Sequence, residues 1–282
     1  MVYLLQTTPR EKEGLQDETR QNVAYPPIAA ISAVLTLSAS AANRFVSNDG
    51  TWKMKDESGQ EMAGTCYTSL RSAIGNGHVI YVKNDYDCTV DQPDSGARYQ
   101  FGGGFSSCII RSESGDWRTG PTLSGRHDWE TATGIGTNAF RVFWKTGLNS
   151  YGIQIIGFKI LDGAATLASD NADGYGGCVR GYGAAGRITL KNCLVSGGAA
   201  YSGGGAYMCR LENCIVTNNY AHGNGGGLDS SSYVIDTLVS GNSARKSGGG
   251  ASSGTFSNCV VSCNISASSG KCDTAGRLMR AA

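Results

Sequence analysis

The residues that come nearest to a metal site lie in an acidic cluster between residues 163 and 188. Residues 169–174 read Ser-Asp-Asn-Ala-Asp-Gly and partly match the calcium-loop pattern D-x-[DN]-x-[DN]-G, in which carboxylate and amide oxygens bind the ion. However, Ser169 stands at the first ligand position, and Arg180 stands where a bidentate glutamate is expected. The pattern leaves two interpretations, a solvated turn or a weak calcium site whose candidate ligands are Asp170, Asn171 and Asp173.

Ten cysteines form the second group of reactive side chains. Cys66 with Cys88, and Cys263 with Cys272, flank short predicted elements and are candidates for two disulfides if the chain is exported. The sequence contains no C-x-x-C pair and only three histidines, so we expect no zinc site. No catalytic residue and no cofactor other than calcium is assigned from these patterns.

A short repeat near the C-terminus must position these groups. Glycine triplets begin at Gly203, Gly225 and Gly248, which are separated by 22 and 23 residues. The intervening apolar bursts keep the same spacing, but they are too short for helical repeats and lack the regular leucines of leucine-rich repeats. The period therefore predicts an all-β solenoid, a parallel β-helix with coils of about 22 residues whose equivalent positions stack about 4.8 Å apart.

Alignment of the repeats places like residues in stacked ladders. Two inward ladders and one turn ladder contain Cys193, Cys214 and Cys259; Val195, Val216, Val239 and Val261; and Asn219, Asn242 and Asn264. We expect the cysteines to be small buried hydrophobes, and the asparagines to pair their amides along the solenoid axis. These ladders therefore predict structural rather than catalytic roles.

An apolar stripe lies between the inward positions. Strand alternation points Leu194, Ile215, Leu238 and Val260 away from the coil interior. Such a stripe is typical of a surface that another part of the chain covers, or of an interface with a partner or a second copy.

Several segments are similar to a known family. Residues 156–164 followed by the glycine-rich coils carry the main similarity, and residues 44–50, 69–74 and 79–82 match an opening strand, a short capping helix and a first coil. The chain thus resembles the right-handed parallel β-helix proteins of the pectin-lyase-like superfamily, in particular secreted bacterial repeat proteins similar to polymorphic outer-membrane proteins. The resemblance covers roughly residues 43 to 270 and implies a fold more than an activity.

The resemblance also admits carbohydrate-active enzymes. Pectate lyases of this superfamily bind calcium through clustered aspartates and use an arginine or lysine as base, whereas the related polygalacturonases use several aspartates and a Gly-His-Gly motif. Neither set is intact, and Ala-His-Gly at residues 221–223 matches the latter only in part. An active site would draw on Asp162, Asp170, Asp173 and Arg180.

Composition favours an extracellular protein. Glycine accounts for 41 of 282 residues, charged residues for only 17%, and the net charge is +1, which disfavours nucleic acid as a partner. No apolar run is long enough to span a membrane. Residues 28–37 followed by Ala-Ser-Ala resemble an export signal, although the preceding 27 residues are long and mixed in charge, so a disordered tail is the alternative.

These observations divide the chain into four parts. We expect an N-terminal extension with a candidate signal peptide (1–42), a cap with the first coils (43–138), regular coils (139–272) and a tail that indicates a truncated product (273–282). The predicted function is a non-catalytic secreted, cell-surface or outer-membrane protein that acts in adhesion, glycan binding or envelope structure, with a polysaccharide or cell-surface partner. The alternative is a polysaccharide lyase or glycosidase.

Overall fold

A computed structural model describes residues 42–93, 96–102, 105, 107–126, 139–147, 152–168, 172–183, 188–231, 233–268 and, for the backbone alone, 271–273. These residues belong to one compact unit, which spans residues 37–282. The fold is all-β with parallel sheets and is compatible with a β-helix-like solenoid. The candidate signal peptide lies outside the described residues.

The regular elements are short, as expected where glycine-rich turns interrupt apolar bursts. One α-helix, α1 (Leu70–Ala73), and two 3-10 helices (Cys88–Val90 and Ala172–Gly174) accompany the strands in the described part of the chain. The strands are β1 (Asn43–Val46), β2 (Thr65–Tyr67), β3 (Val79–Val82), β4 (Ala97–Phe101), β5 (Ser107–Ser112), β6 (Thr122–Ser124), β7 (Arg141–Lys145), β8 (Gly152–Ile156), β9 (Lys159–Leu161), β10 (Val179–Arg180), β11 (Ile188–Lys191), β12 (Leu194–Ser196), β13 (Ala199–Ala200), β14 (Ala206–Tyr207), β15 (Cys209–Glu212), β16 (Ile215–Thr217), β17 (Tyr220–Ala221), β18 (Leu228–Asp229), β19 (Val234–Ile235), β20 (Leu238–Ser240), β21 (Ser243–Ala244), β22 (Phe256–Ser257), β23 (Val260–Ser262), β24 (Asn264–Ser266) and β25 (Lys271–Asp273).

The strands form four sheets. The first sheet has the order β2-β1-β3-β5-β8-β11-β15-β19-β22, the second β18-β14-β10-β7-β4, the third β23-β20-β16-β12-β9-β6, and the fourth β13-β17-β21-β24-β25. Pairing between the described strands is parallel except for β24 with β25, which is antiparallel. Apart from that antiparallel pair, neighbouring strands in each sheet are distant in sequence.

The register reproduces the sequence period. In the first sheet Leu190 pairs with Leu211, Leu211 with Val234, and Val234 with Phe256, which are offsets of 21, 23 and 22 residues. In the third sheet the valines of the predicted ladder pair in order from Val195 to Val261, and all four are buried. Stacking in this register buries a continuous apolar column.

The helix α1 lies near the N-terminal edge of the first sheet, where the resemblance places a capping helix. Ser69 precedes it in extended conformation, and its hydroxyl accepts a hydrogen bond from the Ser72 backbone N–H. Leu70 and Ala73 are fully buried. An N-cap serine and two apolar residues three positions apart explain why so short a helix forms here.

Candidate ligand-binding site

A row of large polar and aromatic side chains crosses the second sheet. The register pairs Gln100 with Trp144, Trp144 with Arg180, Arg180 with Tyr207, and Tyr207 with Asp229. The preceding residue of each strand is apolar and buried: Tyr99, Phe143, Val179, Ala206 and Leu228. Because successive strand residues point to opposite faces, this row faces away from the core.

Aromatic rings and guanidinium groups pack together in the middle of this row. The Cζ atoms of Arg141 and Arg180 lie 5.0 and 5.3 Å from the centroid of the Trp144 ring. Tyr175 stacks on Tyr207 with ring centroids 4.5 Å apart and an interplanar angle of 17°. Cation–π contacts of this kind contribute roughly 0.5–2 kcal/mol each, more when they are desolvated.

The hydrogen bonds of the cluster are unevenly distributed. Arg141 donates from Nε to the Tyr175 carbonyl at 3.0 Å and from Nη2 to the Asp173 carbonyl at 2.5 Å. By contrast, Nε and Nη1 of Arg180 and Nε1 of Trp144 are buried and have no acceptor among the residues that the structure describes. A buried donor without a partner costs roughly 1–3 kcal/mol, so the free protein leaves this cluster incompletely satisfied.

The site carries an excess of buried positive charge. Burial, followed by the neighbouring Arg180 charge, lowers the pKa of Arg141 to about 9, although Asp173 acts in the opposite direction. Burial also lowers the pKa of Arg180, again opposed by Asp173. Arg141 and Arg180 are only 4% and 5% exposed, so water screens their repulsion poorly.

The residues predicted for metal binding are placed only in part. Asp173 lies in the 3-10 helix Ala172–Gly174, next to the two arginines, whereas Asp170 and Asn171 lie outside the described residues. Among the described residues no group of three or more potential metal-ligating side chains occurs. Asp162 is half-buried in a left-handed turn after β9, and burial raises its pKa.

The cysteines of the first proposed disulfide are free thiols. Cys66 donates a weak hydrogen bond to the Trp52 carbonyl, and Cys88 begins a 3-10 helix whose first carbonyl accepts from Arg98. The two thiols are not bonded to each other. Cys263 is free and exposed, and the side chain of Cys272 lies outside the described residues.

The ladder cysteines are buried free thiols that also donate hydrogen bonds to backbone carbonyls. Cys193, Cys214 and Cys259 each donate to the carbonyl two residues earlier in the chain. Thr237 takes the equivalent place between Cys214 and Cys259, and its hydroxyl makes the same bond at 2.8 Å. This position therefore selects a small side chain with a weak donor, rather than a reactive thiol.

The predicted asparagine ladder joins successive repeats. Asn219 donates from Nδ2 to Oδ1 of Asn242 at 2.9 Å, and Asn242 donates to Oδ1 of Asn264 at 3.0 Å. All three side chains are buried, and each amide also donates to a backbone carbonyl. These contacts give the three asparagines a structural role.

The apolar stripe is covered at its centre. Leu194, Ile215 and Leu238 are half-buried, whereas Val260 is 48% exposed. Ile215 and Leu238 line a cleft of about 270 Å³ together with residues 116–118, which belong to the segment between β5 and β6. Residues 116–118 therefore face part of this stripe across the cleft.

Sequence reasoning had included Arg180 but had missed Arg141, Trp144 and Tyr207. One signal could have found three members of the row, because Arg180, Tyr207 and Asp229 each follow four residues after a glycine, Gly176, Gly203 and Gly225 respectively. All three glycines have φ near +65° and turn the chain into the second sheet. No such glycine marks Trp144.

No protein-family model matches the chain, and no characterised protein or solved structure is significantly similar to it. In the described part of the chain, no helix is long and apolar enough to cross a membrane.

Proposed function

We propose that this protein is a right-handed parallel β-helix of the pectin-lyase-like kind, secreted or held at the cell surface, that binds a polysaccharide without cleaving it. The observation that carries this proposal is the row Gln100, Trp144, Arg180, Tyr207 and Asp229, one side chain from each strand of the second sheet. Adhesion or envelope structure would be the biological use of such binding.

The row has the properties that an extended sugar chain requires. Trp144 and Tyr207 combine an apolar ring with a polar edge, and although Arg141, Arg180 and Tyr175 pack on them, both rings are half-buried rather than enclosed. Neighbouring strands lie about 4.8 Å apart, so the row presents a regular series of contacts along the solenoid. A long polymer can touch several strands at once, which strengthens weak individual contacts.

The alternative function is a polysaccharide lyase or glycosidase. It is favoured by the position of Asp173 beside Arg141 and Arg180, because a carboxylate next to a cation is a common catalytic pairing. Hydrolysis with two carboxyl groups would need a second carboxyl roughly 5–9.5 Å away. Binding and cleavage must therefore be measured together.

The test uses the full chain and a panel of acidic and neutral polysaccharides, with and without calcium. We expect binding without new chain ends, and we expect Trp144→Ala and Tyr207→Ala to weaken it about tenfold or more. Tyr233→Ala is the matched control, because this tyrosine is 55% exposed but lies outside the row. Circular dichroism establishes that each variant is folded.

Four results would contradict the proposal. Binding that survives both substitutions would show that the row is not the binding site, and no binding to any polysaccharide would remove the glycan function. Calcium-dependent unsaturated ends would replace it with a lyase, and new reducing ends without calcium would replace it with a glycosidase. Asp173→Asn then shows whether that carboxylate takes part.

A further inference from the structure

We infer that Trp144 and Arg180 form a subsite for an oxyanion, the carboxylate or sulfate group of a bound glycan. This inference deepens the proposed function and rests on it for the identity of the ligand as a glycan. It starts from three nitrogen atoms, Nε1 of Trp144 and Nε and Nη1 of Arg180, which are buried and find no acceptor in the described part of the chain. The two residues are paired on neighbouring strands β7 and β10.

The missing partner must be an acceptor. Indole and guanidinium nitrogens only donate hydrogen bonds, so a ligand that satisfies all three must supply acceptor lone pairs, and a group without hydrogens adds no further donor that needs a partner. A sugar hydroxyl brings a donor with each acceptor, whereas a carboxylate or sulfate brings acceptors alone. An oxyanion is therefore the group that matches the three donors.

The charge of the surroundings agrees with this chemistry. Arg141 and Arg180 both pack on the Trp144 ring, and each is at least nine-tenths buried. Asp173 is the carboxylate that acts on both. An anion would neutralise charge that the free protein holds away from water, whereas a cation such as calcium would add to the repulsion.

A comparison within the chain shows that burial alone does not produce this arrangement. Arg98 is fully buried and also has one nitrogen without an acceptor. Its Nη1 nevertheless donates to the carbonyls of Cys88 and Asp91, and its Nε donates to that of Ser124. Arg98 is anchored by backbone oxygens, whereas Arg180 leaves two donors of one guanidinium unused beside a third donor from Trp144.

The first experiment compares matched oligosaccharides by calorimetry on the full chain. One pair is a sulfated oligosaccharide and its desulfated counterpart, and the other is a uronate oligosaccharide and its carboxyl-reduced counterpart. We expect the anionic member of one pair to bind about tenfold more tightly than its neutral counterpart, and the pair that shows the preference identifies the anion. Arg180→Met and Trp144→Phe should reduce this preference, whereas Arg210→Met, an exposed arginine of the first sheet, should not.

Neutral oligosaccharides separate this inference from the proposed function. If neutral and anionic oligosaccharides bind equally well, or if Arg180→Met leaves the preference intact, the oxyanion subsite is wrong while glycan binding stands. If no oligosaccharide binds, the glycan function fails, and inorganic sulfate still tests the subsite. Low millimolar sulfate at constant ionic strength should raise the Tm of the wild-type chain more than that of Arg180→Met, and equal shifts would overturn the inference.

Discussion

Gly227 packs directly against the side-chain amide of Asn242. A Cβ atom on Gly227 would lie 3.0 Å from both Cγ and Nδ2 of Asn242, and 2.6 Å from the carbonyl oxygen of Gly250 in the next coil. The same relationship joins Gly205 to Asn219, and Gly250 to Asn264. The glycine triplets and the asparagine ladder are therefore two halves of one packing arrangement.

Gly227→Ala should destabilise the fold through this contact. The added methyl group must displace the Asn242 amide or separate two coils, and overpacking of this kind costs about 1–3 kcal/mol. Urea denaturation measures the change in the free energy of unfolding. Gly102→Ala is the matched control, since a Cβ there meets nothing within 4 Å. Equal stability of the two variants would contradict the packing argument.

Asn242→Ala should be more damaging, because Asn242 links two neighbouring coils. Its Nδ2 donates to the carbonyls of Val216 and Ser240 and to Oδ1 of Asn264, and its Oδ1 accepts from the backbone and side chain of Asn219. Loss of this group leaves several buried polar atoms unpaired, and we expect a loss of roughly 2–5 kcal/mol.

The control for Asn242→Ala is Asn224→Ala. Asn224 is half-buried, and its side-chain oxygen accepts a single long hydrogen bond, 3.3 Å from Ser247 N. The same denaturation experiment should show a loss of about 1 kcal/mol or less for this variant. If Asn242→Ala and Asn224→Ala lowered the free energy of unfolding equally, the ladder would not be a stabilising element.

Thiol labelling should separate the cysteines by position. Cys263 is exposed and free, so an alkylating reagent should modify it first in the native chain. Cys108 and Cys178 are buried, and burial raises the pKa of each thiol to about 12, so neither presents a thiolate at neutral pH. Peptide mapping after brief labelling gives the order, and rapid modification of Cys178 without unfolding would contradict its burial.

Stability should fall at alkaline pH. The pKa values of the Cys108 and Cys178 thiols are raised by burial from an ordinary value of 9.0 to about 12. Between these limits the unfolded chain releases protons that the folded chain retains, so the free energy of unfolding decreases as pH rises. Burial and the neighbouring Asp91 also raise the pKa values of Tyr86 and Tyr99, which adds to the effect.

Urea denaturation under reducing conditions from pH 7.5 to pH 10.5 measures this dependence. The curve should be nearly flat below about pH 9 and should fall above it. In Cys178→Ala the free energy of unfolding should fall less steeply with pH, because the variant lacks one thiol whose proton the folded chain retains. An equally steep fall in the wild-type chain and in Cys178→Ala would show that the Cys178 thiol titrates alike in both states.

Asp91 illustrates what sequence reasoning could not see. In the sequence it is one of several aspartates in a polar stretch. In the structure it is buried, and its carboxylate accepts hydrogen bonds from the hydroxyls of Ser69, Tyr86 and Tyr99. These partners come from separate segments, so no local pattern distinguishes Asp91 from its exposed neighbour Asp87.

The repeating part of the fold followed from the sequence alone. In parallel register each residue stacks on its equivalent one period later, so the spacing of Val195, Val216 and Val239 along the chain is also their order in space. The residue types indicated which positions are inward, since small apolar side chains fill the interior and asparagine suits a buried turn. The candidate disulfide between Cys66 and Cys88 could not be decided from the sequence, and both cysteines are free thiols in the structure. A disulfide depends on the relative positions of two Cβ atoms, which an even number of cysteines does not reveal.

Only the tertiary structure brought Trp144 and Arg180 together. They are 36 residues apart, Arg180 and Tyr207 are 27 apart, and Tyr207 and Asp229 are 22 apart, so the period is lost toward the N-terminal coils. Insertions between strands change the distance along the chain without changing which strands pair. A repeat can therefore be read from the sequence, whereas a site whose residues are separated by unequal insertions appears only when the sheet aligns them.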